Sequence, residues 1–230
     1  MSIELTWLGH ATWSIRTGGY TLLVDPFLSD SPVAKVKAAD VSADFILVSH
    51  GHFDHVQDAA AIARRTGAKV IATYEVCQWL IGQGVSEEQT VDMNTGGAVD
   101  QPFGRVKLTL AHHSSTMPDG KPGGNPVGFL LTLEKKHIYF ACDTALFLDM
   151  KLIGGAGLDL AVLPIGDRYT MGPEDSIKAI ELLEPRRAAP SHYNTWPIIA
   201  QDAAAWARRV RAETNAEPVV LEVGGTLTLS

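Results

Sequence analysis

Cysteine is scarce in this chain. Only Cys77 and Cys142 occur in 230 residues, too few for a disulfide framework and not spaced as a zinc motif, so a reducing cytoplasm is the expected location. Basic residues are in deficit: 19 Lys and Arg against 26 Asp and Glu leave a net charge of −7. Affinity for nucleic-acid backbone comes from clustered Lys and Arg that neutralise phosphates, so no nucleic-acid partner is expected. The cluster Arg208, Arg209 and Arg211 has the spacing of a solvated helix side. Long apolar runs are missing too; none approaches the ~20 residues that span a bilayer, and no membrane partner is expected. The opening Ile3-Glu-Leu-Thr-Trp-Leu is strand-like, without a charged leader, apolar stretch or cleavage site. No linker or low-complexity tract divides the chain, and 46% hydrophobic content suffices for a well-buried core, so residues 1–230 are expected to form a single domain.

What is present is concentrated in residues 49–55, Ser-His-Gly-His-Phe-Asp-His. His50, His52, Asp54 and His55 put three imidazoles and a carboxylate into six positions, a donor set suited to Zn²⁺, Mn²⁺ or Fe. The preceding Asp44-Phe-Ile-Leu-Val-Ser reads as a buried strand, which places the cluster on the loop where that strand leaves a sheet, a usual position for sites in α/β proteins. In an extended segment His50, His52 and Asp54 share one side and His55 falls on the other, so one loop could serve two adjacent metals. A His-rich surface loop or a single structural zinc is the competing reading.

Strands are expected over 3–8, 11–16 and 20–24, with Gly18-Gly19 turning between the last two. A helix over about 56–65 stops at Gly67, followed by a strand at Lys69-Val-Ile-Ala and a short helix over 75–82. The middle is again β-rich, with 104–111 alternating and a hairpin formed by 127–133 and 137–141. The Pro/Gly-rich stretch 117–126 reads as a loop bordering the site. Strands over 158–164 and 188–190 then alternate with helices over 173–183, opened by Pro173, and 200–213. Strands over 218–222 and 226–229 close the chain. Two β-rich stretches, each ending in metal-type residues and followed by helix, point to an α/β fold of two stacked sheets with helices outside, a four-layer sandwich.

Other candidate ligands sit just beyond predicted strands: His112-His113 after 104–111, Asp143 after 137–141, and His192 after 188–190. A site assembled at one sheet edge needs this arrangement. The order H-x-H-x-D-H, lone His, Asp, final His resembles the metallo-β-lactamase-fold hydrolases. Trp7-Leu-Gly-His10, Asp25-Pro-Phe, Ala141-Cys-Asp143-Thr-Ala-Leu-Phe, the segment from Pro164 to Asp175, and His192-Tyr-Asn-Thr look like a prokaryotic branch described as metal-dependent hydrolases, itself similar to the L-ascorbate-6-phosphate lactonases. The resemblance covers nearly the whole chain and implies an αββα sandwich of metallo-β-lactamase type. It implies that His50, His52 and His113 hold one metal, that Asp54, His55 and His192 hold a second, and that Asp143 bridges both. His113 is preferred to His112 because the resembling motif is His followed by Ser-Ser. The branch commonly has Gly where this chain has Cys142, whose thiol would either pack as a small hydrophobe or approach the metal.

Two divalent ions, Zn or Mn with Fe as a further candidate, held about 3.5–4 Å apart would lower the pKa of a shared water towards ~7. The expected activity is then attack by a metal-bridging hydroxide on a small-molecule ester, lactone or phosphoester, with Asp54 both ligating and holding the hydroxide proton. An RNA or DNA phosphodiesterase of the same fold and a non-catalytic metal-binding protein are the alternatives. His10 is a catalytic candidate that would bond substrate or orient a ligand, or else a satisfied structural His; Asp25 would bond a ligand imidazole or serve only the turn with Pro26. Arg168 could grip an anion or be a surface charge, and Tyr193 and Asn194 could face substrate, with one of them turning into the core. Relatives of this kind often assemble, which implies a homo-oligomer.

Overall fold

The computed structural model describes residues 2–230, whose strands form two mixed sheets of seven. The first sheet runs antiparallel through β1 (Ile3–Gly9), β2 (Thr12–Thr17) and β3 (Tyr20–Val24), then parallel through β4 (Phe45–Leu47), β5 (Lys69–Thr73) and β6 (Thr90–Met93). The second runs antiparallel through β7 (Ala98–Gln101), β8 (Gly104–Leu110), β9 (Val127–Leu133) and β10 (Lys136–Phe140). It continues parallel through β11 (Leu160–Pro164), β12 (Arg187–Ser191) and β13 (Glu217–Pro218). The last strand, β14 (Thr226–Leu229), returns to the first sheet and pairs antiparallel with β1. Both sheets therefore pass from antiparallel to parallel pairing midway, and the two β-rich stretches are the two stacked sheets expected.

Alternation along the strands sorts side chains between two cores. Leu22 and Val24 of β3 and Phe45 and Leu47 of β4 face the second sheet, whereas Leu23 and Ile46 face outward. Trp13 meets Phe140 edge-on at 6.1 Å and Phe45 meets Phe103 at 4.6 Å, closing the space between the sheets. Helices α2 (Ala59–Thr66) and α3 (Tyr74–Gly82) cover the outer face of the first sheet with Ile62, Ala63, Val76 and Leu80. Helix α4 (Met150–Gly154) packs on α5 (Pro173–Leu183), and α5 and α6 (Ala203–Glu213) lie against β11 and β13 of the second. The result is the α/β sandwich of two sheets flanked by helices.

Local chemistry sets the helix limits. Gly67 caps α2 in the left-handed conformation at φ 77°, and Pro173 occupies the first turn of α5. Helix α6 starts at Ala203 rather than 200 because the Asp202 side chain accepts the Ala205 N–H at 2.8 Å. The helix expected over 56–65 is two pieces, α1 (Phe53–Val56) and α2, separated at Asp58. The buried Asp58 carboxylate instead ties down Leu28 N–H, Ser29 N–H and the Ser29 hydroxyl. The strand expected over 218–222 ends at Pro218, because the chain there leaves the second sheet and crosses to β1, where Gly224 N–H bonds Trp7 O at 2.7 Å. Among the described residues no helix is long and apolar enough to cross a membrane.

Candidate metal centre

Six strand ends converge at one edge of the sandwich. His10 follows β1, Asp25 follows β3, residues 48–55 follow β4, His113 follows β8, Asp143 follows β10 and His192 follows β12. His10, Asp25, Cys142 and His192 all have positive φ, between 43° and 53°, so the chain turns sharply off four of these strands. Left-handed backbone at a non-glycine residue costs about 1–3 kcal/mol and persists where surrounding contacts over-determine it. Here those contacts are explicit: the His10 carbonyl accepts the Trp7 indole N–H at 2.9 Å, the Ser191 hydroxyl at 3.0 Å and His192 N–H at 3.0 Å, clamping the two sheets together beside the site.

The motif after β4 is extended only as far as His52, and Asp54 and His55 then sit on the single turn of α1. Period two therefore orients His50 and His52, while helical geometry carries Asp54 and His55. His50 Nε2 lies 3.0 Å from His52 Nδ1, which lies 3.3 Å from His113 Nε2. On the other side Asp54 Oδ2 is 3.7 Å from His192 Nε2 and 3.8 Å from His55 Nε2. Between the two groups stands Asp143, whose Oδ2 is 3.1 Å from His192 Nε2, 3.3 Å from His55 Nε2, 3.5 Å from His113 Nε2 and 4.0 Å from His50 Nε2.

These residues fit a metal. His55 Nε2, His192 Nε2 and Asp143 Oδ1 are buried without a hydrogen-bond partner, although charged neighbours are within ion-pair distance. Donor atoms that approach one another yet lack hydrogen-bond angles converge on the space between them, as ligands do. Three overlapping groups have ligand atoms within 4.8 Å: His50, His52 and His113; His10, Asp54, His55 and His192; and His50, His55 and Asp143.

Neighbouring groups decide which nitrogen each imidazole turns inward. Asp25, fully buried, accepts Ser49 N–H and the Ser49 hydroxyl at 2.7 Å each, and pairs with His55 Nδ1 at 2.9 Å. Because the Ser49 hydrogen goes to Asp25, its oxygen must accept from His50 Nδ1, 2.9 Å away, and His50 Nε2 faces the site as a lone pair. Asp25 thus orients two imidazoles, one directly and one through Ser49. His10 is fully buried and lies 3.0 Å from Asp54 Oδ2 through Nε2 and 2.7 Å from the Thr195 hydroxyl through Nδ1. Burial and the nearby His192 push the His10 imidazole down to about 3, so it is neutral, with Nε2–H donating to Asp54 and Nδ1 accepting from Thr195.

Burial likewise lowers His50, His52 and His113. At His55 and His192 burial acts in the same direction but is overcome. Asp143, Asp25 and Asp54 hold His55 well above the usual imidazole range, and Asp143 leads in raising His192 to about 9. Burial would raise Asp54 and Asp143, yet the imidazoles keep both well below the usual carboxylate range.

His112 is excluded from the cluster; its N–H bonds the Thr144 hydroxyl and its ring packs against Phe147. Cys142 packs against the core between the sheets and makes a long contact from Sγ to Phe140 O at 3.8 Å, and burial, with Asp25 and Asp143 nearby, pushes its thiol up. Its φ of 53° explains why glycine suits this position. Tyr193 turns into the core and stacks on Trp7 at 5.2 Å, while Asn194 is exposed and accepts Gln201 N–H. Arg168 is exposed, with its guanidinium over the Tyr169 ring. Ser49, Phe53 and Thr195 lie inside the quoted motifs but were given no role there, and the cleft-lining Trp196 and Ile198 had no motif signal. That cleft, about 420 Å³, opens directly over His52, Asp54, His113, Asp143 and His192.

A family model described as a beta-lactamase superfamily domain matches residues 20–193. A UPF0173 metal-dependent hydrolase of Symbiobacterium thermophilum is 46% identical over 231 residues, covering 99% of this chain and 100% of the relative. Another from Thermus thermophilus is 45% identical over 227 residues, covering 99% of each. The solved structure of Igni18, a metallo hydrolase from Ignicoccus hospitalis, superposes with a TM-score of 0.90 at 33% identity, covering 100% of this chain and 99% of that one. The chain belongs to the beta-lactamase superfamily and is a metal-dependent hydrolase of the metallo-β-lactamase fold.

Proposed function

For this superfamily member we propose a dinuclear hydrolase acting on a small-molecule ester, lactone or phosphoester. The observation that carries the reading is the position of Asp143: one carboxylate oxygen reaches His113 and His50 on one side and His55 and His192 on the other. His50, His52 and His113 would hold one cation and Asp54, His55 and His192 the second, with Asp143 shared between them. Zn²⁺, Mn²⁺ and Fe²⁺ all accept this donor set. When bound, two such cations supply a nucleophilic water at neutral pH and a Lewis acid for the substrate oxygen that gains charge.

The chain's own groups do the positioning. Asp54, ionised and lining the cleft, accepts a hydrogen bond from the attacking water and so aims its lone pair at the substrate. His10 acts through Asp54 as a positioning residue, since its Nε2–H holds Oδ2 and its ring is closed off from the cleft. Asp25 and Ser49 keep His55 and His50 in the ligating tautomer. The net charge of −7 favours a small-molecule substrate over nucleic acid.

Metal content by mass spectrometry, on protein purified without added metal, tests this together with hydrolysis of ester, lactone and phosphodiester panels before and after chelation. Two equivalents per chain with chelator-sensitive turnover is the expected result. One equivalent at full activity would remove the dinuclear mechanism. Less than one, with no turnover restored by Zn²⁺, Mn²⁺ or Fe²⁺, would remove the ligand assignment.

A further inference from the structure

Above the candidate ligands the cleft has an unusual wall. Phe53, Tyr169 and Ile198 are 51%, 54% and 49% exposed, and all three face this one opening together with Trp196. These side chains come from separate segments, α1, the turn after β11 and the loop after β12, so no local sequence pattern brings them together.

The wall is braced from behind. Trp196 meets the edge of His10 at 5.1 Å and lies 5.9 Å from Phe27 and 6.1 Å from Phe53. Its carbonyl accepts Ile199 N–H at 3.0 Å, closing a turn around Pro197. Tyr169 is delivered by a turn in which both Asp167 and Arg168 are left-handed, at φ 62° and 46°, held by Thr170 N–H to Asp167 O at 3.1 Å. Preformed aromatic walls bind flat apolar groups at low ordering cost.

The charge distribution is equally selective. Among the described residues no Lys or Arg lines the cleft, and the neighbouring Arg168 is placed over the Tyr169 ring, 5.8 Å from its centroid. A substrate carboxylate or phosphate away from the reacting group would lose hydration and find no cation among the lining residues, whereas an aromatic ring would exchange water for aromatic contacts.

We infer that the enzyme takes an uncharged substrate whose hydrolysable group carries an aromatic or similarly bulky apolar substituent, seated against Trp196, Phe53, Tyr169 and Ile198. This rests on the metal-hydrolase reading and narrows it away from phosphorylated metabolites.

Hydroxamates test the inference because they chelate metals and differ only in their substituent. Calorimetric titration of the metal-loaded protein should show benzohydroxamate binding at least about tenfold tighter than acetohydroxamate, equivalent to ~1.4 kcal/mol. The ratio should collapse towards one in Trp196→Ala. Phe53→Ala and Ile198→Ala, at half-exposed positions, test the same wall should Trp196→Ala fail to fold, and each should reduce the ratio at least about twofold. Leu152→Ala, on the exposed face of the helix formed by Met150–Gly154, should leave the ratio unchanged.

Equal affinity for the two hydroxamates would overturn the inference and leave the hydrolase reading standing. Binding of neither would overturn both. Tighter binding of 4-carboxybenzohydroxamate than of benzohydroxamate, lost in Arg168→Ala, would show that an acidic substrate is selected and overturn the inference alone.

Discussion

On one side of Asp143, three ring nitrogens of His50, His52 and His113 point at a common centre and burial pushes all three imidazoles towards the neutral form; on the other, His55 and His192 lie against carboxylates that raise them, His192 to about 9. The residue type is the same. What differs is how closely the acids approach, since Asp25, Asp54 and Asp143 all lie within 3.8 Å of His55, whereas the first group has Asp143 at its margin and Asp54 acting on His52 from further off. A cation entering the first half meets free lone pairs. One entering the second half must displace protons, so the two halves of one cluster are distinguishable by pH.

The largest expected effect comes from the residue common to both halves. Asp143→Asn removes the shared charge, and metal content should fall below one equivalent per chain with hydrolysis reduced more than about a hundredfold, beyond the 10- to 100-fold typical of an outer partner. Two equivalents retained by this variant would end the bridging assignment.

Next come the orienting residues. Asp25→Asn disturbs His55 directly and His50 through Ser49, and should weaken binding of both cations by about 10- to 100-fold. Ser49→Ala disturbs only the His50 side and should cost about tenfold for one cation. Competition titrations with a chromophoric chelator separate these outcomes, and equal losses at both sites in Ser49→Ala would contradict the relay.

Proton release sharpens the comparison further. At pH 7.5 the second cation should release close to two protons, from His55 and His192, and the first close to none, as read by calorimetry in buffers of different ionisation enthalpy. Its affinity should rise with pH through about 9, where His192 deprotonates unaided. Without metal, the stability contributed by the raised His55 and His192 is full below pH 6.5 and is lost as pH rises above it, for His192 through about 9. His10, His50, His52 and His113, all lowered, contribute stability that is lost as pH falls below 6.5, because only the unfolded chain takes up those protons. The metal-free melting temperature should therefore peak near pH 6.5, and a monotonic rise to pH 9 would contradict these assignments.

The smallest effect is Cys142→Gly. Relief of the left-handed strain gains about 1–2 kcal/mol and the lost thiol packing offsets part of it, so the melting temperature should rise by a few degrees at most. A large fall would mean that the thiol carries a role its contacts do not reveal.

Alternation and spacing made much of this molecule legible. Leu22, Leu23 and Val24 alternate between cores as a half-exposed strand cannot, and the candidate ligands could be named from their positions just past strand ends. His113 and His112 separated as their neighbours indicated. The edge strands β6 and β7 were not legible, because Thr90–Met93 and Ala98–Gln101 are short and only partly buried and so carry little hydrophobic pattern. The extended-chain reading placed Asp54 beside His50 and His52 with His55 opposite; a helical turn instead carries Asp54 and His55 together, next to His10 and His192.

The amino-acid sequence by itself named the candidate donors, the strands that present them and the two-sheet sandwich, because these depend on residue type, on periodicity within one segment and on motifs that resemble a known family. Only the tertiary structure decided which imidazoles keep their protons, that Asp25 reaches His50 through Ser49, and that Phe53, Tyr169, Trp196 and Ile198 meet in one wall. Each of those properties is a distance of a few ångströms between segments far apart in the chain, and such distances exist only once the sheets have closed on each other.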